Sequence, residues 1–198
     1  MENQNFDIFD ALWSSPSTMI EEAYVISDKK IISKLKSMSN LEILDDESRS
    51  ILMNAVIYER TSVVEYLLKK GVNVNYTDDN GFTALHFAVQ TNNTGIIEML
   101  LKSGANSNIK NKFGNNAILC ADNDISIDAL KLLLKHGSDP YQKNNYGVSA
   151  FDTFSCNPDH IKLIENRNEF LLENSGDTKV NCSFKKSTIK DKLKSFLK

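Results

Sequence analysis

The sequence predicts an all-α solenoid in which helix pairs stack side by side. Three observations carry that prediction. Gly81, Gly114 and Gly147 stand 33 residues apart. A second series, Gly71, Gly104 and Gly137, keeps the same step, each glycine behind a leucine pair: Leu67-Leu68, Leu100-Leu101 and Leu133-Leu134. Each interval holds two apolar runs separated by a polar break. Interleaved series with one period of this length indicate a repeat array, because a lone helix pair cannot bury its apolar face and must share a core with its neighbours.

Taken in order, Phe6, Phe9 and Trp13 fall at helical spacing. Ser15-Pro16 reads as an N-cap with proline at the first helical position, and Thr18 with Glu21 suits a capping box. Helices from Pro16 to about Val25 and from about Lys29 to Met38 then form a degenerate first repeat, with Trp13 buried beneath it. An atypical end repeat suits a solenoid, whose outer face meets water. The first full repeat spans 46–78, with Ser50-Ile51-Leu52-Met53-Asn54-Ala55 opening it and Val63, Val64, Leu67 and Leu68 in its second helix. The second, 79–111, is the most regular. Its Thr83 is placed to accept first-turn amide hydrogens, and the second helices close in lysine ahead of a glycine suited to the left-handed terminating conformation.

The third repeat begins at Lys112 and departs from the pattern. Asn116 replaces threonine, Leu119 replaces histidine, and Asp122 stands where a small apolar residue belongs. A buried carboxylate without a partner is costly, so an altered or widened turn is expected there. The fourth repeat starts at Asn145, puts Phe154 in place of the small alanine, and opens at Pro158-Asp159 a single long element reaching about Asn174. After the breaker Asn174-Ser175-Gly176-Asp177, Ser187 or Thr188 could cap a short helix bearing Ile189, Leu193, Phe196 and Leu197 on one side. The chain thus divides into N-terminal helices and cap (1–45), repeats with a C-terminal cap (46–176), and a basic tail (177–198).

Gly81-Phe82-Thr83-Ala84-Leu85-His86-Phe87-Ala88 resembles the ankyrin-repeat signature, with Ala84 where proline is usual, and Gly104-Ala105-Asn106-Ser107-Asn108 resembles that family's repeat ending. The resemblance covers roughly 46–165 well and 16–45 loosely. It implies an ankyrin-repeat solenoid whose helix-turn-helix units are joined by β-hairpin-like fingers, with His86 as a hydrogen-bonding spacer between turns. It also implies that partners dock on the fingers and on the concave face of the first helices. Carried over by position, this gives Tyr58 in the first repeat and Asp79, Asn80, Phe82, Gln90 and Thr91 in the second. The third supplies Lys112, Phe113, Asn115 and Asn123, and the fourth supplies Asn145, Tyr146 and Val148. Phe82, Phe113 and Tyr146 would form an aromatic ridge along successive fingers, since aromatics anchor protein interfaces; the alternative is that they tuck against neighbouring fingers.

Composition bounds the function. With 41% hydrophobic and 25% charged residues, the 198-residue chain reads as one folded domain. Net charge is −3, but residues 179–198 hold seven lysines and one aspartate, a charge of +6, leaving −9 on the rest. Phosphate repulsion then argues against nucleic-acid binding by the body. Cys120, Cys156 and Cys182 form neither a CxxC pair nor an even set and read as reduced thiols. No apolar stretch reaches the length of a membrane span, and Met1–Asp10 lacks a secretory pattern, so a cytoplasmic protein is expected.

His86, His136 and His160 form no metal-ligand pair. No nucleophile elbow, Walker loop or GxGxxG occurs. The expectation is a protein without catalysis, metal or cofactor that sequesters, inhibits or scaffolds a protein partner. Asp46, Glu47, Asp78 and Asp79 on the early fingers favour a partner with a basic surface, as an immunity-type inhibitor of a basic toxin enzyme would need. The alternatives are an effector or adaptor acting on host proteins, and a peripheral protein drawn to membranes by its basic tail, although an amphipathic stretch this short is a weak membrane signal.

Overall fold

The computed structural model describes residues 27–121 and 124–167. The helix expected over 16–25, the placement of Trp13, the tail helix and Cys182 lie outside those residues. Eight α-helices occur among the described residues: α1 (Asp28–Lys36), α2 (Ile51–Ile57), α3 (Thr61–Lys69), α4 (Ala84–Gln90), α5 (Thr94–Lys102), α6 (Ile127–Lys135), α7 (Ala150–Thr153) and α8 (Pro158–Glu165). Two 3-10 turns, Ala117–Cys120 and Phe154–Cys156, complete the set. No strand occurs among the described residues; the nearest approach to one is an isolated antiparallel bridge between Leu44 and Ser50.

The helices stack in two rows. One runs α2, α4, the Ala117–Cys120 turn and α7; the other runs α1, α3, α5, α6 and α8, each element touching the next. The 33-residue step explains the shared core. Ile31, Val64, Ile97 and Leu130 are one position in successive units, and all are fully buried. Leu52, Leu85 and Ile118 make the matching column between the rows. Burying one such side chain contributes about 1.5–3 kcal/mol, so the stack is stabilised column by column.

The expected punctuation is present. Ser50 accepts from the Met53 N–H, Thr83 from His86, Asn93 from Ile96, Ser126 from Ala129, and Asn157 from Asp159 and His160 behind Pro158 at the helix start. Gly71, Gly104 and Gly137 end their helices at φ of +75°, +87° and +84°, the region a glycine enters without steric cost.

Two expectations need correction. The third repeat has no α-helical first element: its chain leaves the 3-10 turn at Ala121, whose backbone is already extended (φ −73°, ψ 140°). The distortion therefore starts before Asp122, which lies outside the described residues. The element opening at Pro158 stops at Glu165, with Asn166 as its cap donating to Ile164 and Lys162. Asparagine is a poor interior helix residue and a good terminator, so the periodicity of Leu171 and Leu172 does not prolong α8. Phe154, in the alanine column, is buried and stands edge-on to His160 with ring centroids 5.2 Å apart, filling the last inter-row space.

Candidate functional site

Each finger is built by one device. Asp45, Asp78, Asn111 and Asn144 stand 33 residues apart, and the Oδ1 of each accepts two backbone N–H groups, two and four residues on. Asp78 takes Asn80 and Phe82 at 2.9 and 2.8 Å; Asn111 takes Phe113 and Asn115; Asn144 takes Tyr146 and Val148; Asp45 takes Glu47 and Arg49. The same four residues donate their backbone N–H across the hairpin, as from Asp78 to the Phe82 carbonyl at 2.9 Å. The turn needs a positive φ, supplied at +78° to +79° by Gly81, Gly114 and Gly147 but at +58° by Ser48 in the first finger.

Neighbouring fingers are tied together. The Lys112 N–H donates to the Asn80 carbonyl at 2.9 Å and the Asn145 N–H to the Phe113 carbonyl at 3.0 Å. The Asn145 amide reaches the Lys112 carbonyl, and the Asn144 amide donates to Asn115 Oδ1. From behind, His86 Nε2 lies 3.3 Å from the Asn115 carbonyl while its Nδ1 faces the Thr83 N–H at 3.0 Å. The Thr83 amide is an obligate donor, so the ring is neutral with its proton on Nε2. Burial lowers the His86 pKa below 6.5, against the nearby carbonyls of Asn115 and Ile109 that would raise it. The second, third and fourth fingers thus form one ledge. No corresponding backbone bond joins the first finger to the second among the described residues.

The predicted site residues take three kinds of position. Asp79 and Asn80, Lys112 and Phe113, and Asn145 and Tyr146 form successive exposed tips. Asn115 and Val148 occupy the return limb, where Phe82 also stands. Tyr58 and Thr91 cap the C-terminal ends of α2 and α4, with Gln90 just before Thr91. Asn123 lies outside the described residues.

The aromatic ridge is therefore two residues long. Phe113 and Tyr146 share the tip position, 47% and 75% exposed, whereas Phe82 is two places further on and aligns with Asn115 and Val148. It turns onto its own helix, stacking on Phe87 at 5.5 Å and meeting His86 edge-on at 5.6 Å, which neither the ridge nor the tucking onto a neighbouring finger anticipated. Sequence reading also missed the Asx series, although the glycine period would have exposed it. It missed the support of the first finger as well, where Asp45 Oδ2 accepts from Arg49 Nε at 2.8 Å and from the Asn54 amide at 2.9 Å. Partial burial would raise the Asp45 pKa, but these hydrogen bonds and the Arg49 charge outweigh it and hold the carboxyl below its usual range.

The fingers differ in the sign of their charge, while the repeat body as a whole is close to neutral. Between residues 27 and 167 the chain holds 17 acidic and 16 basic residues, while residues 1–26 hold five acidic and no basic ones; the negative excess thus belongs mainly to the N-terminal stretch. The first finger carries Asp45, Asp46 and Glu47 against Arg49, and the second carries Asp78 and Asp79. The third is flanked by Lys110 and Lys112, and the fourth is preceded by Lys143. Burial pushes the Cys120 thiol up to about 12, so it stays protonated at neutral pH. Among the described residues no cluster of three metal-ligating side chains occurs, and no helix is long and apolar enough to cross a membrane.

The family model for ankyrin repeats (3 copies) matches residues 22–111. A search of curated proteins gives no match. The matched stretch holds α1 to α5, and the same Asx turn, capped first element and glycine-terminated second helix continue through the third repeat, with the turn and capped helices recurring in the fourth. The chain carries ankyrin repeats over residues 22–111 within an all-α repeat solenoid, and such repeats serve as protein-interaction modules.

Proposed function

We propose that the protein works by holding one protein partner against its finger ledge and the adjoining ends of the first helices, occluding the partner's working surface. One observation carries this reading. The large hydrophobic side chains most exposed among the described residues are Tyr58, Phe113, Tyr141, Tyr146 and Val148, and four of the five lie on the fingers or at the end of a first helix. Rigid backbone beneath exposed aromatics keeps the ordering cost of binding low, and aromatic anchors supply most interface energy. The acidic first and second fingers favour a basic patch on that partner, the arrangement an inhibitor of a basic enzyme needs.

The test is capture of partners by tagged full-length protein, beside the double variant Phe113→Ala/Tyr146→Ala. Loss of a stoichiometric, salt-released partner with an unchanged thermal melt supports the ledge. Retention of that partner by the double variant moves the site elsewhere.

A further inference from the structure

The finger row has a property that the partner reading does not use: it is complementary to itself. The first and second fingers are acidic and the third and fourth are flanked by lysine, in a repeat body that is close to neutral. Asp46, Asp79 and Lys112 are exposed and make no ion pair among the described residues. The ion pairs of the second helices, such as Glu65–Lys69 and Glu98–Lys102, are by contrast satisfied locally. Exposed charges of opposite sign thus stand on neighbouring fingers, ordered by sign along the stack.

We infer that this row of four fingers is a docking surface for a second copy of the chain, running antiparallel. A two-fold axis between the second and third fingers sets finger one against finger four of the other copy, and finger two against finger three. Asp79 then meets Lys112 of the other copy, twice by symmetry. The Tyr146 tip, a phenolic donor, meets the carboxylates of Asp46 and Glu47. A two-fold interface needs only one patch whose halves complement each other, and this row has that form. A parallel in-register arrangement sets acid against acid and lysine against lysine, and an antiparallel one shifted by a single finger sets Asp79 against Asp79 or Lys112 against Lys112. The inference does not rest on the partner reading: a hetero-partner using the same ledge would compete with the second copy.

The experiment is sedimentation of the full-length protein at about 100 μM, a concentration that fills a micromolar dimer, at low salt and again at about 0.5 M, where surface pairs are screened. A dimer at low salt that dissociates at high salt is expected. Asp79→Lys and Lys112→Glu should each weaken it by about tenfold or more, since each variant places like charges at both symmetric contacts. An equimolar mixture of the two variants should restore the dimer, because every contact is then opposite in sign. A wild-type monomer at low salt, a dimer indifferent to both variants, or a mixture that stays monomeric overturns the inference. Unchanged melts of both variants will show that they are folded, as expected for exposed side chains without internal bonds.

Discussion

The second and third repeats share one period, one finger design and closely matching second helices, yet only the second has an α-helical first element. In the second, Thr83 and His86 close a reciprocal cap, and α4 runs seven residues. In the third, Asn116 Oδ1 accepts from Leu119 at 3.2 Å and its amide donates to the Asp139 carbonyl at 3.0 Å, but Leu119 cannot return a bond and the element closes after four residues. A cap is present in both, but only in the second repeat is the bond returned. Reciprocity does not set helix length alone, since Ser50 caps the seven-residue α2 without it and the reciprocal Ser149–Asp152 box precedes the four-residue α7. The shortened unit is held from outside by its neighbour, since Asn92 of the second repeat accepts from the Ser126 N–H and donates to the Asp124 carbonyl. One repeat supplies order by its own cap, and the other borrows it.

The largest expected effect separates the two fingers from the turns at the opposite end of the helices. A Cβ at Gly114 would lie 2.5 Å from Asn145 Oδ1 and 2.7 Å from its backbone nitrogen, and one at Gly81 would lie 2.9 Å from the Asn111 Cα. A Cβ at Gly104 meets nothing within 4 Å. All three carry positive φ, so each alanine costs about 1–2 kcal/mol for conformation alone. Gly114→Ala and Gly81→Ala add the loss of inter-finger packing and should cost about 3 kcal/mol or more in urea unfolding. Equal midpoints for Gly81→Ala and Gly104→Ala would show that the ledge is not the rigid body described above.

His86→Ala comes next and tests reciprocity itself. It removes the contacts to Thr83 and Asn115 and leaves a cavity in a fully buried position, at an expected cost of about 2–3 kcal/mol. The half-buried Leu119, the same position in the third repeat, should cost less when cut to alanine. If the two cost the same, the cap is not what distinguishes the repeats. The histidine also sets a pH window. Its folded pKa lies below the unfolded value of 6.5, so the unfolded chain takes up the proton first and stability falls as pH drops below about 6.5. His86→Gln should flatten that part of the stability–pH curve and leave the acid limb from Asp45, which is lost as pH falls through its own lowered folded value.

How much of this was legible depends on whether a feature obeys the period. Glycines, leucine pairs and caps recur at the 33-residue step, and the structure has them where the sequence puts them. The Asx series obeys the same step and was equally available, but asparagine and aspartate differ in charge and do not look like one position until the accepted hydrogen bonds make them one. Phe82 misled for the opposite reason: it matches Phe113 and Tyr146 in type and differs from them in register, and register decides whether a ring meets water or Phe87. The end of α8 was hidden because apolar spacing continues past Asn166. Net charge was the weakest guide to the site, since a sum over the chain erases the order of signs along the fingers.

The smallest expected effect concerns the first finger, which differs from the other three in having Ser48 at φ +58° where they have glycine. An L-residue there carries a conformational penalty that glycine avoids, partly offset by the greater freedom glycine gives the unfolded chain. Ser48→Gly should therefore stabilise by only about 0.5 kcal/mol. The sign is informative. Among the described residues the first finger has no backbone bond to the second, and it is held by Asp45, Arg49 and Asn54. If that network alone fixes its shape, relieving Ser48 raises the melt slightly, and Asp45→Asn, which keeps the turn acceptor but loses the ion pair with Arg49, lowers it. A Ser48→Gly variant that melts lower would mean that the serine side chain holds the finger, and that the first finger follows a different rule from the ledge beside it.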